Sequence, residues 1–516
     1  MRFASPLRLR AALAVTALAL VAAACGGGGE GGGSGAPRAE GAGLVPASTA
    51  VFISVNTDFG SAQWQAAEAL AARFPSGAEA VASLLESLSD GGVDLETELK
   101  PALGPETDLA ILELTDRLRS ADDPPVVLLT QPRDPAKLEE LVAGGKDKAV
   151  VRDVGDGWYM VADNEARIDR VLAGADEESL ADTDAFAHAM ADLEGEAVGK
   201  LYVNGPALVQ GIRQGAEQGA RAGALDLGSL GAGSLESIAL AFTAEPQGAR
   251  AEGVARTAEG PLLTPYAAEL ASLVPSDALV YASFANLRTS LEQLLELASK
   301  QTPDFDTQLG QLQLGLGISL EDDLLPIFEG EHALWVRADE AGSDLGAEIT
   351  IVLSPADPEK ALVTLERLAT GFAGFAALGG GEAPFSVEST TIAGVAAKKL
   401  TLQGQATSLY FALVGDHLVV TTAERGIADL AAPSGSLADD PLFQEATQAA
   451  ELPDESLGFV YVNIRDGLEL AELPAAGMLG DIDPETRENL RALQYLVAYA
   501  TGEADKLRFS GFLGIK

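Results

Sequence analysis

The 516-residue chain has one cysteine, three histidines and only 34 basic residues against 77 acidic ones, a formal charge of −43. One thiol cannot close an internal disulfide, and histidines as far apart as His188, His332 and His417 cannot assemble a usual zinc site. A polyanion of this size is repelled by phosphate backbones, which excludes nucleic acid as a partner. Aromatics are also sparse (17 Phe, 8 Tyr, 3 Trp), yet 47% of residues are apolar and 22% charged, as in a globular chain of two or more domains. HExxH, GxSxG and GxxxxGK[ST] do not occur. Gly315-Leu316-Gly317 comes nearest to GxGxxG, but Leu320 stands at the third glycine. Asp481-x-Asp483-x-Glu485 opens like a calcium loop and then lacks its glycine and final Glu, so no metal and no cofactor are expected.

What is present begins at the N-terminus. Arg2, Arg8 and Arg10 precede a short apolar run from Ala11 to Val21, followed by Ala22-Ala23-Ala24-Cys25. This pattern predicts a signal peptide over residues 1–24, and its apolar run is short for a permanent membrane span. The segment Val21-Ala22-Ala23-Ala24-Cys25-Gly26 resembles the lipobox of bacterial lipoproteins, although Ala22 stands where Leu is common. That resemblance implies a diacylglyceryl group and acyl chains such as palmitate on Cys25, each buried CH2 contributing about 0.8 kcal/mol to anchoring. Ala22-x-Ala24 also suits the ordinary signal peptidase, which would leave a free thiol. A lone exposed thiol outside the cytoplasm favours the lipidated reading. Residues 26–43, rich in Gly, Ala and Ser, predict a flexible linker behind Cys25 with a reach of about 25 Å.

The remainder reads as one design written twice. Leu44-Val45-Pro46 with Val51–Ser54 matches Leu273-Val274-Pro275 with Val280–Ser283, and Gly92-Val93-Asp94-Leu95-Glu96 matches Gly317-Ile318-Ser319-Leu320-Glu321. Asp134-Pro135-Ala136-Lys137 matches Asp357-Pro358-Glu359-Lys360, Ser179-Leu180-Ala181-Asp182 matches Ser436-Leu437-Ala438-Asp439, and Tyr202-Val203-Asn204 matches Tyr461-Val462-Asn463. The offsets place an insertion near residues 379–405 in the second copy, giving copies over 44–260 and 261–516, each large enough for its own core.

Within a copy, strand-like runs alternate with amphipathic ones. Leu109–Leu114 with Val126–Leu129, and Val150–Val154 with Trp158–Val161 across Gly155-Asp156-Gly157, predict hairpins. Asp134-Pro135 and Asp357-Pro358 predict helix starts, and Leu287, Leu291, Leu294, Leu295 and Ala298 share one helical face, as do Val81, Leu84, Leu85 and Leu88. The expected fold class is α+β, two tandem copies of a mostly antiparallel sheet with helices on one face. Asn56, Asn204, Asn286 and Asn463 each end a strand-like run before a helix-like one. They could surround a ligand, but the spacing favours capping of first-turn amides. Trp64, Trp158 and Trp335 are read as core residues. Carboxylates are so frequent that no acid–base pair stands out, and ligand-binding residues are not assignable.

The LVP blocks, their recurrence, the GxxLE and DPxK blocks and the leader together resemble a bacterial family known as domain of unknown function 3352, over residues 44–516. The resemblance implies secreted or membrane-attached proteins and no catalytic residues. The expectation is a lipid-anchored, extracytoplasmic lipoprotein of the cell envelope that attaches to the membrane through its anchor. Its acidic body would bind an envelope protein, polymer or small solute without catalysis. The alternative is a carboxylate-dependent hydrolase of envelope polymers, which needs an enclosed acid pair in a deep cleft.

Overall fold

The structure is a computed structural model describing residues 38–75, 77, 95–114, 125–144, 149–193, 195–218, 235–258, 263–302, 304–338, 346–378, 385–402, 408–471, 484–503 and 505–516. The expected signal peptide, Cys25, the helical face at Val81–Leu88 and Asp481 and Asp483 lie outside the described residues. The fold is mixed α/β, and every strand pairing among the described residues is antiparallel. The chain separates into two compact units, one of residues 1–260, 484–492 and 503–516, the other of residues 261–483 and 493–502.

In the first unit the strands are β1 (Val51–Asn56), β2 (Glu106–Ile111), β3 (Val126–Thr130), β4 (Val150–Gly155), β5 (Trp158–Ala162), β6 (Gly199–Asn204), β7 (Leu235–Glu245) and β8 (Gly248–Thr257). They lie in the order β4-β5-β3-β2-β1-β6-β7-β8, and the C-terminal strand Lys506–Ile515 pairs with β8. Both expected hairpins form, β2 with β3 and β4 with β5. The tight turn of the latter holds Gly155, Asp156 and Gly157 at positive φ, which glycine adopts freely. The helices among these strands include α1 (Ala62–Ala71), α2 (Pro135–Gly144), α3 (Glu165–Glu177), α4 (Asp184–Ala191) and α5 (Gly205–Gln218). Ser61, Asn164 and Thr183 cap α1, α3 and α4 by accepting amides of Trp64, Arg167 and Phe186, and α2 begins at Pro135. Ile168 and Val171 of α3 and Phe186 and Ala189 of α4 pack on Phe52, Ala110, Val127, Leu129, Met160 and Tyr202 of the sheet. Period-two alternation places Ile53, Val55 and Leu109 in a smaller cluster on the other face.

In the second unit the strands are β9 (Val280–Ala285), β10 (Glu331–Ala338), β11 (Ala347–Leu353), β12 (Phe385–Ile392), β13 (Val395–Leu402), β14 (Ser408–Val414), β15 (His417–Thr421), β16 (Gly458–Asn463) and β17 (Leu493–Glu503, unit membership ending at Gly502). Their order is β12-β13-β14-β15-β11-β10-β9-β16-β17. The β12–β13 hairpin falls within the segment read as an insertion. Helices α6 (Leu287–Gln301), α7 (Phe305–Leu316), α8 (Pro358–Leu378), α9 (Glu424–Ala431), α10 (Pro441–Ala449) and α11 (Ile464–Ala471) complete the unit. Ala361 of α8 packs with Leu353 and Leu418, and Asp440 caps α10 through the amides of Leu442 and Phe443. Gly317 of the incomplete GxGxxG pattern ends α7 at φ 63°, the left-handed conformation that glycine takes at a helix terminus.

One expectation is corrected. Residues 38–43, read as part of the flexible linker, are folded: Glu40–Leu44 is a 3-10 helix with Gly41 and Ala42 buried. Their small side chains, which resemble a linker by composition, permit close packing against β2.

Phe512 of the C-terminal strand is fully buried, and its ring lies 5.1 Å from the Arg250 guanidinium. Phe512→Ala should therefore destabilise the first unit by about 3–5 kcal/mol. Hydrogen exchange should report increased exposure of β8 while β11 and β15 keep their protection.

Candidate functional site

The sequence of β2, Glu106-Thr107-Asp108-Leu109-Ala110-Ile111, places Glu106, Asp108 and Ala110 on one face, opposite Asn56, Ser54 and Phe52 of β1. Two acids thus point into the face that carries the core; Glu106 is 9% exposed and Asp108 is fully buried. Glu106 accepts the backbone amides of Arg38 and of Ala39 (3.2 Å) on Oε2 and that of Glu40 (2.8 Å) on Oε1. Asp108 Oδ2 accepts the amide of Gly41 at 3.0 Å. Between them they satisfy amides that a helix start leaves without intrahelical partners. A Cβ on Gly41 would lie 2.2 Å from Asp108 Oδ2, so this approach requires glycine.

Burial pushes the carboxyl pKa of Glu106 up, and the amide donors at residues 38–40 pull it partly back. Burial raises Asp108 well above the usual carboxylate range, and the neighbouring charge of Glu106 raises it further. Asp108 Oδ1 and the facing Ser54 Oγ close no hydrogen bond. This is an enclosed acid pair, as a carboxylate hydrolase needs. Its oxygens, however, are largely committed to backbone amides, and it lies against folded chain at residues 38–41.

The second unit has a related arrangement. Glu331, the first residue of β10, accepts the amides of Glu269 (3.0 Å) and Leu270 (3.1 Å) at the 3-10 turn Leu270–Ser272. Ser283 donates to Glu331 at 3.2 Å and shares a hydrogen bond of 2.7 Å with the Tyr266 hydroxyl, whose pKa burial pushes up to about 12. Ala333 takes the place of Asp108 in the register, so this unit has one acid where the first has two.

Beside that turn the second unit holds a cleft of ≈470 Å³. Ala268 and Ala271 form one side; Phe443, Gln444, Thr447 and Gln448 of α10 form another. Leu452, Pro453, Asp454 and Ser456 of the following loop and Phe459 of β16 complete it. Phe443 and Phe459 are fixed in an aromatic group with Tyr281, ring centroids 5.3 to 6.5 Å apart. Its volume lies within the range of small-ligand clefts, and its lining is divided between apolar and polar groups. Another charged cluster, Arg337 with Glu348, Asp429 and Asp277, is an ion-pair network, with the Arg337 side chain only 2% exposed.

The residues singled out by sequence do not converge. His188, His332 and His417 lie on α4, β10 and β15; His332 is fully buried, its pKa lowered by burial, and His417 bonds Ser354 at 3.0 Å. Among the described residues no group of three or more His, Cys, Asp or Glu is placed to hold a metal. Asn204 and Asn463 accept amides of Ala207 and Asp466 as caps, and Asn56 accepts that of Asp58. Asn286 makes no such bond and takes a left-handed φ of 55°. Trp64, Trp158 and Trp335 are all buried. Sequence reasoning missed Glu106, Asp108 and Glu331. The available signal was the spacing of Glu106 and Asp108 two apart on the apolar face of a strand.

Because the native state holds its proton more tightly than the unfolded chain, the Asp108 carboxyl stabilises least at high pH. Its unfavourable contribution appears as pH rises through the raised native pKa and is absent below the unfolded value. Asp108→Asn should thus raise the urea midpoint at pH 8 relative to the parent, with the gain shrinking at pH 4; a pH-independent difference would contradict this. Gly41→Ala should cost about 1–3 kcal/mol by crowding the same carboxylate, read from the same melts.

Residues 141–371 match the profile of a family described as protein of unknown function (DUF3352). No curated protein matches the chain. Among solved structures, crystal form IV of TP0453 is similar at 10% identity over 48% of this chain and 94% of that one, with a TM-score of 0.21. Crystal form I of TP0453 is similar at 11% identity over 47% and 77%, with a TM-score of 0.22. At such scores the likeness carries no argument. Over the matched residues, this chain has a DUF3352-like body.

Proposed function

We propose that the chain is a lipoprotein anchored through Cys25 to the extracytoplasmic face of a bacterial membrane, whose body binds a partner or solute and does not catalyse. The observation that carries the choice between binding and hydrolysis is the separation of acids from the open site. The enclosed pair, Glu106 and Asp108, is engaged by backbone amides, whereas the cleft has Asp454 as its one lining carboxylate.

In this reading the body consists of two copies of one α+β design with helices against one sheet face. Strand order supports it: β4-β5-β3-β2-β1-β6-β7 in one unit parallels β14-β15-β11-β10-β9-β16-β17 in the other. Contacts recur as well. The amide of Leu180 donates to Val45 and that of Leu437 to Val274, and Ser179–Asp182 and Ser436–Asp439 each close a hydrogen bond of 2.7 Å. The edge-on pair Phe186–Tyr202 is repeated by Phe443–Tyr461, both 5.0 Å apart. The family match runs from α2 to its counterpart α8, about one repeat length.

Cys25→Ser should move the protein from the membrane fraction to the medium or leave it as an unprocessed precursor. Detergent-dependent fractionation identical to the parent's would refute lipid anchoring.

A further inference from the structure

We propose that the cleft of the second unit takes a small organic cation, an ammonium group carried on an apolar body; this rests on the binding reading above. The cleft combines two features that suit such a molecule. Its floor is apolar and aromatic, with Phe443 and Phe459 beside Ala268, Ala271 and Leu452, a surface that would bury a ligand's hydrocarbon. Its charge has a single sign. From Ala438 to Phe459, the stretch that supplies most of the walls, there is no Lys or Arg, while Asp439, Asp440, Glu445, Glu451, Asp454 and Glu455 all occur.

Several of these acids are already committed. Asp440 caps α10, Asp439 accepts from Ser436, and the nearby Arg465 is paired with Asp466 at 2.7 Å. Asp454 differs: it lines the cleft, is exposed and has no ion pair among the described residues. Ser456 supplies a polar group to the cleft. The residue is only 3% exposed and lines the cleft, its backbone amide and carbonyl are both used by Tyr266, and its hydroxyl makes no hydrogen bond among the described residues. That hydroxyl is not sealed from solvent, and it would accept a ligand's N–H in place of water.

Comparison with the first unit sharpens the point. By the repeat offsets, Gln444, Thr447, Gln448 and Ser456 correspond to Ala187, Met190, Ala191 and Ala197. Of the two floor phenylalanines, Phe443 corresponds to Phe186 but Phe459 to Lys200, so the second ring and the polar lining occur in the second unit alone and the first has a cation in that place.

The test uses the full chain and three matched probes followed by ligand-observed NMR: 2-phenylethylamine, 2-phenylethanol and 3-phenylpropanoate. The amine should bind at least tenfold more tightly than the alcohol, the anion should bind most weakly, and the preference should fall with added salt. Asp454→Asn should reduce the amine's affinity to that of the alcohol, and Ala271→Trp, which fills the cleft, should abolish binding. Equal or tighter binding of the alcohol or anion, sensitive to Ala271→Trp, would overturn the cation and leave the cleft as the binding site. Amine binding unchanged by Asp454→Asn would also overturn the cation assignment. Failure of all three probes to bind would overturn both the inference and the cleft's part in the proposed function.

Discussion

The constraint on which the rest of this structure depends is the burial of a carboxylate at the start of an interior strand, where it meets backbone amides of a preceding segment. A buried carboxylate is expensive unless donors surround it, and a helix start supplies donors that otherwise have none. Glu106 makes this exchange in the first unit, the half-exposed Glu331 accepts equivalent amides in the second, and each ties a short 3-10 turn to its sheet. The carboxylate is tolerated because of the turn, and the turn is held by the carboxylate. In the first unit Asp108 intensifies the arrangement by placing a second negative group two residues away, which is why burial and mutual repulsion both push its proton affinity up.

The two units then differ where that interaction leaves room. In the first, the segment before the turn runs across Glu106 and Asp108 and closes the surface. In the second, a single acid suffices, Tyr266 reaches Ser283 from the side, and Ala268 and Ala271 leave a gap against α10. Small residues on one wall, two phenylalanines below and the polar groups of Gln444, Thr447, Gln448, Asp454 and Ser456 make an open cleft of mixed lining. Its aromatic floor belongs to the core, so the site is held rigidly by the same packing that stabilises the unit.

Local structure was largely readable in advance because its causes are local. Hairpins β2–β3 and β4–β5 follow from alternating apolar runs and, in the second case, a glycine-flanked turn; α2 and α8 follow from Asp-Pro at their starts. The three tryptophans proved to be core, and three of the four strand-ending asparagines accept nearby amides. Residues 38–43 were misread because Gly and Ala serve two opposite purposes, chain freedom and close approach. Composition cannot separate them until the neighbour, here Asp108, is in view.

By itself the sequence determined the sign and size of the charge, the alternation of strands and helices, and the recurrence of blocks such as SLAD and YVN. These depend on residue type and on spacing along the chain. Which acids among 77 would lose their water, and which wall would stay open, was decided only by the tertiary structure. Desolvation and shape arise from residues brought together over long separations: Glu106 meets Glu40 across 66 positions, and Ala268 shares a cleft with Phe459.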